Sequence, residues 1–345
     1  MASSDIKTMK AWTYTSTTGG LEKNLRSVAD ASPPFSQTLP GDAILVRVRY
    51  ASLNPADHKL PEVPVLGRVV IPPPASPGMD FAGEVAQTGG AASDDFAVGD
   101  EVFGRVAATR FGALGEYVVA RRDGLAKVPS GVSLADASCV GTAGQTAYQC
   151  IAPYVAHGAG DWVFVNGGSG GTGTFGIQIA KAVGCRVVAS CSGRNADLCR
   201  SLGADEVIDY TAENVSAVLK AKGQVFKLVV DNVGSAPTDL YKAADHYLLP
   251  EGRFVQIGGE TSLADVTSIL SRGFLPSILG GGKRKWEYLV TKNVHEDLDQ
   301  IAEWMKEGKV KAVIDETFEY ENAPKAVEKL KTGRARGKIV VKGSS

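Results

Sequence analysis

The chain has 345 residues, 44% hydrophobic and 22% charged, enough for about two domains of ordinary globular composition. Lys+Arg number 37 against 38 Asp+Glu, a net charge of −1, and the densest basic stretch, GGGKRKW at 280–286, is too short for a nucleic-acid or membrane surface. MASSDIKTMKAW at the N-terminus has no apolar signal-peptide core, and no stretch reaches the roughly 18 apolar residues of a membrane span, so a cytoplasmic protein with a small-molecule ligand is expected.

In chain order, DAILVRVRYASLNP (42–55), FAGEVAQTG (81–89), DEVFGRV (100–106) and EYVVARRDGLAKVP (116–129) predict short strands separated by Gly and Pro clusters, hence a β-rich, barrel-like domain. From Ser133 the texture changes. LADASCVGTAGQTAYQCI predicts a helix, DWVFVNG a buried strand, GTFGIQIAKAVG a helix, RVVASC a strand and NADLCRSLGA a helix, followed by the strands EVIDY, KLVVDNVG and RFVQIGG. This alternation predicts a parallel sheet with helices on both faces. After a helix over EDLDQIAEWMKEGKV (296–310), the strands AVIDETFEY (312–320) and GKIVVKG (337–343) flank the helix ENAPKAVEKLKTG. The tail is expected to rejoin the first domain, giving one domain from 1–132 with 296–345 and another from 133–295, with the ligand in the cleft between them. Cys139, Cys150, Cys185, Cys191 and Cys199 form no CxxC pair and suit reduced, buried packing.

NGGSGGTGTFG (166–176) lies between a short apolar strand and a helix with apolar spacing. Backbone N–H groups and the helix dipole favour an anion there, and missing Cβ atoms let a pyrophosphate approach. Gly168, Gly170 and Gly173 fit GxGxxG, with Ser169, Gly171 and Thr172 between them, and the strand–loop–helix context makes this a dinucleotide loop. An NAD site would place Asp or Glu at the end of the next strand, but Ser190–Arg194 reads SCSGR. Ser192 and Arg194 can donate to a 2′-phosphate and Tyr210 can close the same pocket, which favours NADPH, although Arg194 also suits a solvated helix start. Asn232, Gly258 and Gly259 follow later strands and are expected to line the nicotinamide half; an Asx turn is the plain alternative for Asn232.

SLNPADHK (52–59), GMDFAGEV (78–85), VGDEVFG (98–104), GTAGQTAY (141–148), the glycine loop, SLGADEVIDY (201–210), DNVG (231–234) and GKIVV (337–341) occur in the order seen in medium-chain dehydrogenases/reductases. Over nearly its whole length the chain resembles their zinc-independent quinone oxidoreductase branch, including the chloroplast-envelope quinone oxidoreductase homologues and reticulon-interacting oxidoreductases. The resemblance implies an α/β architecture: a GroES-like β-barrel domain made from both chain ends, a Rossmann doubly wound parallel-sheet domain between them, NADPH, and a homodimer.

Where zinc alcohol dehydrogenases carry metal ligands, this chain has Asn54 with Pro55, then Met79, then Thr142, and its four histidines show no metal-ligand spacing, so no metal is expected. Without a Lewis acid, hydride transfer to the β-carbon of an enone or enal, or to a quinone, suits the chain best. The resemblance implies that Asn54, Thr142 and the backbone around Gly258 lie near the nicotinamide; Asn54 also suits a turn before Pro55. Related enoyl reductases use a Tyr shortly after the NPxD segment, and LPEVPVLGRVVIPPP (60–74) has none, leaving His58, bulk water or a ribose relay as proton source. Phe274, Leu275, Ile278, Leu279, Trp286 and Tyr288 suit either a hydrophobic acceptor pocket or dimer packing. A trans-acting enoyl reductase of a biosynthetic pathway, or a catalytically weak NADPH-binding regulatory protein, are the alternative functions.

Overall fold

The computed structural model describes residues 6–35, 39–109, 111–234, 240–259 and 283–344. Its strands in chain order are β1 (Met9–Thr13), β2 (Arg26–Ala31), β3 (Ala43–Leu53), β4 (Asp80–Thr88), β5 (Glu101–Arg105), β6 (Tyr117–Arg121), β7 (Leu125–Lys127), β8 (Trp162–Asn166), β9 (Arg186–Cys191), β10 (Glu206–Asp209), β11 (Phe226–Asp231), β12 (Leu248–Gln256), β13 (Lys285–Tyr288), β14 (Ile314–Phe318) and β15 (Lys338–Lys342). Residues 1–145 with 293–345 form one unit and residues 146–292 the other. The division falls inside the helix Ala143–Ile151 rather than at 132/133, because the preceding helix Leu134–Ser138 packs on β3, β4 and β5.

In the first unit a sheet runs β14-β15-β3-β4-β5-β7, with β6 also on β3, beside the separate pair β1-β2. β15 lies antiparallel to β3, with Ile339 opposite Leu53, so a strand from the far end of the sequence completes the sheet. Ile44, Val46, Leu53, Phe81, Val102, Val118, Ile339 and Val341 fill its core. Two helices here, Pro55–Glu62 and Leu66–Val70, have no strong sequence signal. Pro55 opens the first of them, where its missing N–H costs nothing.

In the second unit the strands run β10-β9-β8-β11-β12-β13, all parallel. Chain order reverses between β8 and β11, and the loops at the carboxyl ends of these neighbours diverge, which is where such sheets bind ligands. Phe164, Phe226 and Tyr247 stack edge to face in the core beside Phe254. β13 adds a sixth strand, and its Trp286 packs on that core while its indole N–H donates to Gln256 Oε1 at 3.3 Å. Phe274, Leu275, Ile278 and Leu279 lie outside the described residues. The five cysteines are free thiols, all buried. Among the described residues no helix is long and apolar enough to cross a membrane.

Candidate active site

The glycine loop is shaped by contacts that forbid side chains. A Cβ on Gly173 would stand 2.1 Å from the Gly167 carbonyl oxygen, and one on Gly168 would meet Ala189 at 2.9 Å. Gly167 itself adopts φ 75°, the left-handed region. Gly170 caps the helix Gly171–Ala182 with no side-chain bond, so the first-turn amides have no partner within the helix. Ser169 and Thr172 are half-buried on this cradle. Ser169 Oγ accepts from Asn195 Nδ2 at 3.1 Å, while Asn195 Oδ1 is buried without a protein partner.

A polar chain fixes the loop from below. Ser190 Oγ accepts from Gly167 N at 3.1 Å and donates to Asn166 Oδ1 at 2.5 Å, and Asn166 Nδ2 donates to Asp231 Oδ1 at 2.8 Å. Asp231 Oδ1 also accepts from the amides of Val233 and Gly234, each at 3.1 Å. Asn232 Nδ2 donates to the Asn166 carbonyl at 2.8 Å. Gly258 approaches this turn so closely that a Cβ would lie 2.3 Å from the Asn232 carbonyl oxygen, and Gly234 packs on Gly259. Asn232, Gly258 and Gly259 therefore converge with the glycine loop at the carboxyl ends of β8, β11 and β12.

Ser192 follows β9 half-buried, Arg194 is exposed, and Tyr210, also exposed, follows β10 with its amide donating to the Cys191 carbonyl at 3.1 Å. The same corner holds a carboxylate that the sequence pattern does not place there. Asp209, from the end of β10, sits where a Cβ on Gly193 would meet its Oδ2 at 2.3 Å. Hydrogen bonds from Thr211 and the Gly193 amide hold its acid below the usual range. Its charge enters from the neighbouring strand, so a search confined to the end of β9 misses it.

In the first unit, Asn54 and Thr142 meet through two charged residues. Asp80, fully buried at the head of β4, accepts from Asn54 Nδ2 at 2.8 Å and from Thr142 Oγ1 at 2.5 Å. Lys338, 2% exposed at the head of β15, donates to Asn54 Oδ1 at 2.6 Å and the Leu53 carbonyl at 3.0 Å, and lies 3.4 Å from Asp80 Oδ2. The three donors of the ammonium are thus assigned, and the buried ion pair is hydrogen-bonded on both sides, as such pairs must be. The expected single helix over 134–151 is broken at 139–142, because a Cβ on Gly141 would stand 2.4 Å from the Gly104 carbonyl oxygen and 2.8 Å from Asp80 Oδ1. That break brings Thr142 onto Asp80.

The cluster fixes which hydrogen-bonding groups remain free to act. Asn54 has its amide orientation set by an acid on one side and an ammonium on the other, leaving one N–H to donate. Thr142 commits its proton to Asp80, which leaves its oxygen as an acceptor. His58 belongs to a different network: its Nδ1 lies 3.4 Å from Glu62 Oε2, which shares its carboxylate with Lys331, and burial holds the imidazole below its ordinary range. Asp57, one residue before it, accepts from Asn54 N at 2.7 Å, and burial pushes its acid up to about 7.

A Rossmann-ordered sheet with a glycine-rich loop after its first strand, carried in one chain with a GroES-like sheet, defines a nicotinamide-dependent oxidoreductase. Residues 40–130 match the family described as alcohol dehydrogenase GroES-like domain, and 202–341 the one described as zinc-binding dehydrogenase. The trans-enoyl reductase pgmF of Aspergillus terreus is 48% identical over 99% of this chain and 98% of its own. Quinone-oxidoreductase QR1 of Triphysaria versicolor is 31% identical over 86% and 89%. The quinone oxidoreductase structure from Coxiella burnetii superposes with a TM-score of 0.80 at 28% identity, covering 97% of this chain and 99% of that one. The chain belongs to the medium-chain dehydrogenase/reductase superfamily, in its zinc-independent quinone oxidoreductase-like branch.

The residues present fit a nicotinamide dinucleotide, since the glycine-rich loop after β8 ends on first-turn amides that have no partner within the helix Gly171–Ala182. They do not fit zinc. The Asn54 amide is engaged on both sides, and the Lys338 ammonium lies against Asn54 and Asp80, where a second cation would be repelled. Among the described residues no group of three or more His, Cys, Asp or Glu could hold a metal ion.

Proposed function

We propose that this protein uses NADPH to reduce α,β-unsaturated carbonyls or quinones without a metal. The observation that carries the reading is the cluster of Lys338, Asp80, Asn54 and Thr142, which offers one oriented amide donor backed by a buried positive charge. Bound NADPH supplies a hydride to the electron-poor β-carbon of the acceptor. Asn54 donates its remaining N–H to the acceptor oxygen as negative charge develops there, already oriented by Lys338 and Asp80, so little reorganisation is needed. Thr142 accepts from a donor such as a carboxamide N–H. Ser169 to Gly173 hold the pyrophosphate on backbone amides, and Asn232, Gly258 and Gly259 wall the reducing end.

Ser192, Arg194 and Tyr210 support NADPH over NADH, against the opposing charge of Asp209. The protein acts as a cytoplasmic homodimer in this reading, which sizing tests. The experiment for function is NADPH oxidation with 2-cyclohexenone, crotonaldehyde and 1,4-benzoquinone. Asn54→Ala is expected to lower kcat by about 10²–10³, as loss of an oxyanion donor does, with NADPH affinity retained. Absence of turnover with all three acceptors overturns the proposal. Arg194→Ala is expected to weaken NADPH while leaving NADH little changed. The 48% identity to a trans-enoyl reductase favours a second reading, a reductase acting in trans on an acyl chain carried by another protein. Faster reduction of a carrier-bound enoyl thioester than of the free one selects it.

A further inference from the structure

The first unit holds a small recess, with about 10 Å³ open to the centre of a water, lined by Tyr14, Asp57, Ser76, Gly78, Met79 and Thr109 among others. Two of its lining side chains are buried polar groups without a protein partner: Asp57 Oδ1 and Ser76 Oγ, on residues 6% and 3% exposed. Buried polar atoms are rarely left unpaired, and two facing one recess point to a ligand that supplies their hydrogen bonds. The other carboxylate oxygen, Asp57 Oδ2, is anchored by the backbone N–H of Asn54, the residue read above as the acceptor's hydrogen-bond donor.

We propose that this recess delivers the proton that completes enone reduction, with Asp57 as the donor and Ser76 holding the relaying water. The proposal rests on the reductase reading above. When hydride has reached the β-carbon, the enolate's electron pair forms a new C–H bond at the α-carbon with a proton from the relaying water. That water is restored by the Asp57 O–H, whose electron pair stays on the carboxylate, and Asp57 is reprotonated from solvent. The groups facing Asp57 fit a neutral acid: burial and the nearby Asp80 raise its pKa, the Asn54 amide, Lys338 and the Met79 amide oppose them, and the net result is about 7. Tyr14, across the recess, is held protonated by burial, with its phenol pushed up to about 12. His58 is the adjacent titratable group and is occupied by Glu62.

Asp57→Asn keeps an acceptor oxygen for the Asn54 amide and removes the acid. With full-length protein and NADPH, its turnover of 2-cyclohexenone is expected to fall about 100-fold, the contribution of a general acid. The fall with 1,4-benzoquinone, which is protonated on oxygen, is expected to be many times smaller. The wild-type enone rate should decline above about pH 7, and the variant should lose that limb. Infrared titration of the protein without NADPH should show a carboxylic-acid band disappearing near pH 7, absent in Asp57→Asn. Equal losses with both acceptors, an enone rate like wild type, or no such band each overturn the proposal. A wild type inert to every acceptor overturns the reductase reading itself, which the variant comparison alone cannot do. Should Asp57→Asn fail to fold, Ser76→Ala with the wild-type infrared titration decides: a severalfold selective loss of enone turnover supports the relay, and none overturns it.

Discussion

The two units are built from opposite materials at the residues proposed above for the chemistry. In the second, contacts at Gly168 and Gly173 leave no room for a Cβ, and the loop rests on what cannot be added. In the first, Asn54, Asp80, Thr142 and Lys338 fix one another, and the cluster rests on charges that cannot be removed. A backbone cradle tolerates changes around it so long as no Cβ intrudes. A buried charged cluster is intolerant at every member, because each side chain supplies the partner of another.

Lys338→Met breaks this comparison most severely. It strands the Asp80 carboxylate, and a loss of about 3–5 kcal/mol in urea unfolding is expected, with Lys338→Arg losing less. Asp57 sharpens it through pH. Its acid lies near 3.8 unfolded and about 7 folded, so the native state binds the extra proton between those values. Stability from this group is full below about pH 4 and is lost as pH rises to about 7; Asp57→Asn should remove a decline of at most roughly 4 kcal/mol, read from unfolding at pH 4, 5.5 and 7. Gly173→Ala tests the cradle, where a methyl 2.1 Å from the Gly167 carbonyl should cost about 1–3 kcal/mol and weaken NADPH in a fluorescence titration, leaving the pH slope intact. Asp209→Asn is the mildest change, expected to raise the NADPH-to-NADH affinity ratio severalfold without altering thermal stability.

Much of this is legible in the residues. The parallel sheet comes from apolar runs such as Trp162–Asn166 and Phe226–Asp231 alternating with helical spacing, and the cradle from glycines set between a strand and a helix. The NPADHKLPE helix is not, since a proline near each end resembles a turn. Asp80 and Lys338 stand in recognisable motifs without a role, because a pairing across 258 residues leaves no periodic trace. The available signal is a charge that opens a short run of small and apolar residues, Asp80 before FAG and Lys338 before IVV, opposite in sign. Asp209 escapes because sheet neighbours, not sequence neighbours, share a loop cluster.

The closing of the first sheet by β15 has a bearing on how the chain is made. Among the described residues, the six strands of the second unit lie within 146–292 and can pair before residues 293–344 have left the ribosome. The Asp80 carboxylate meets its ammonium only after residue 338 has emerged, so the unit synthesised first is finished last. Nascent chains stalled with residue 300 just outside the exit tunnel should resist protease over the parallel sheet and be cut within 40–130, a vulnerability that ends when the final strand is delivered.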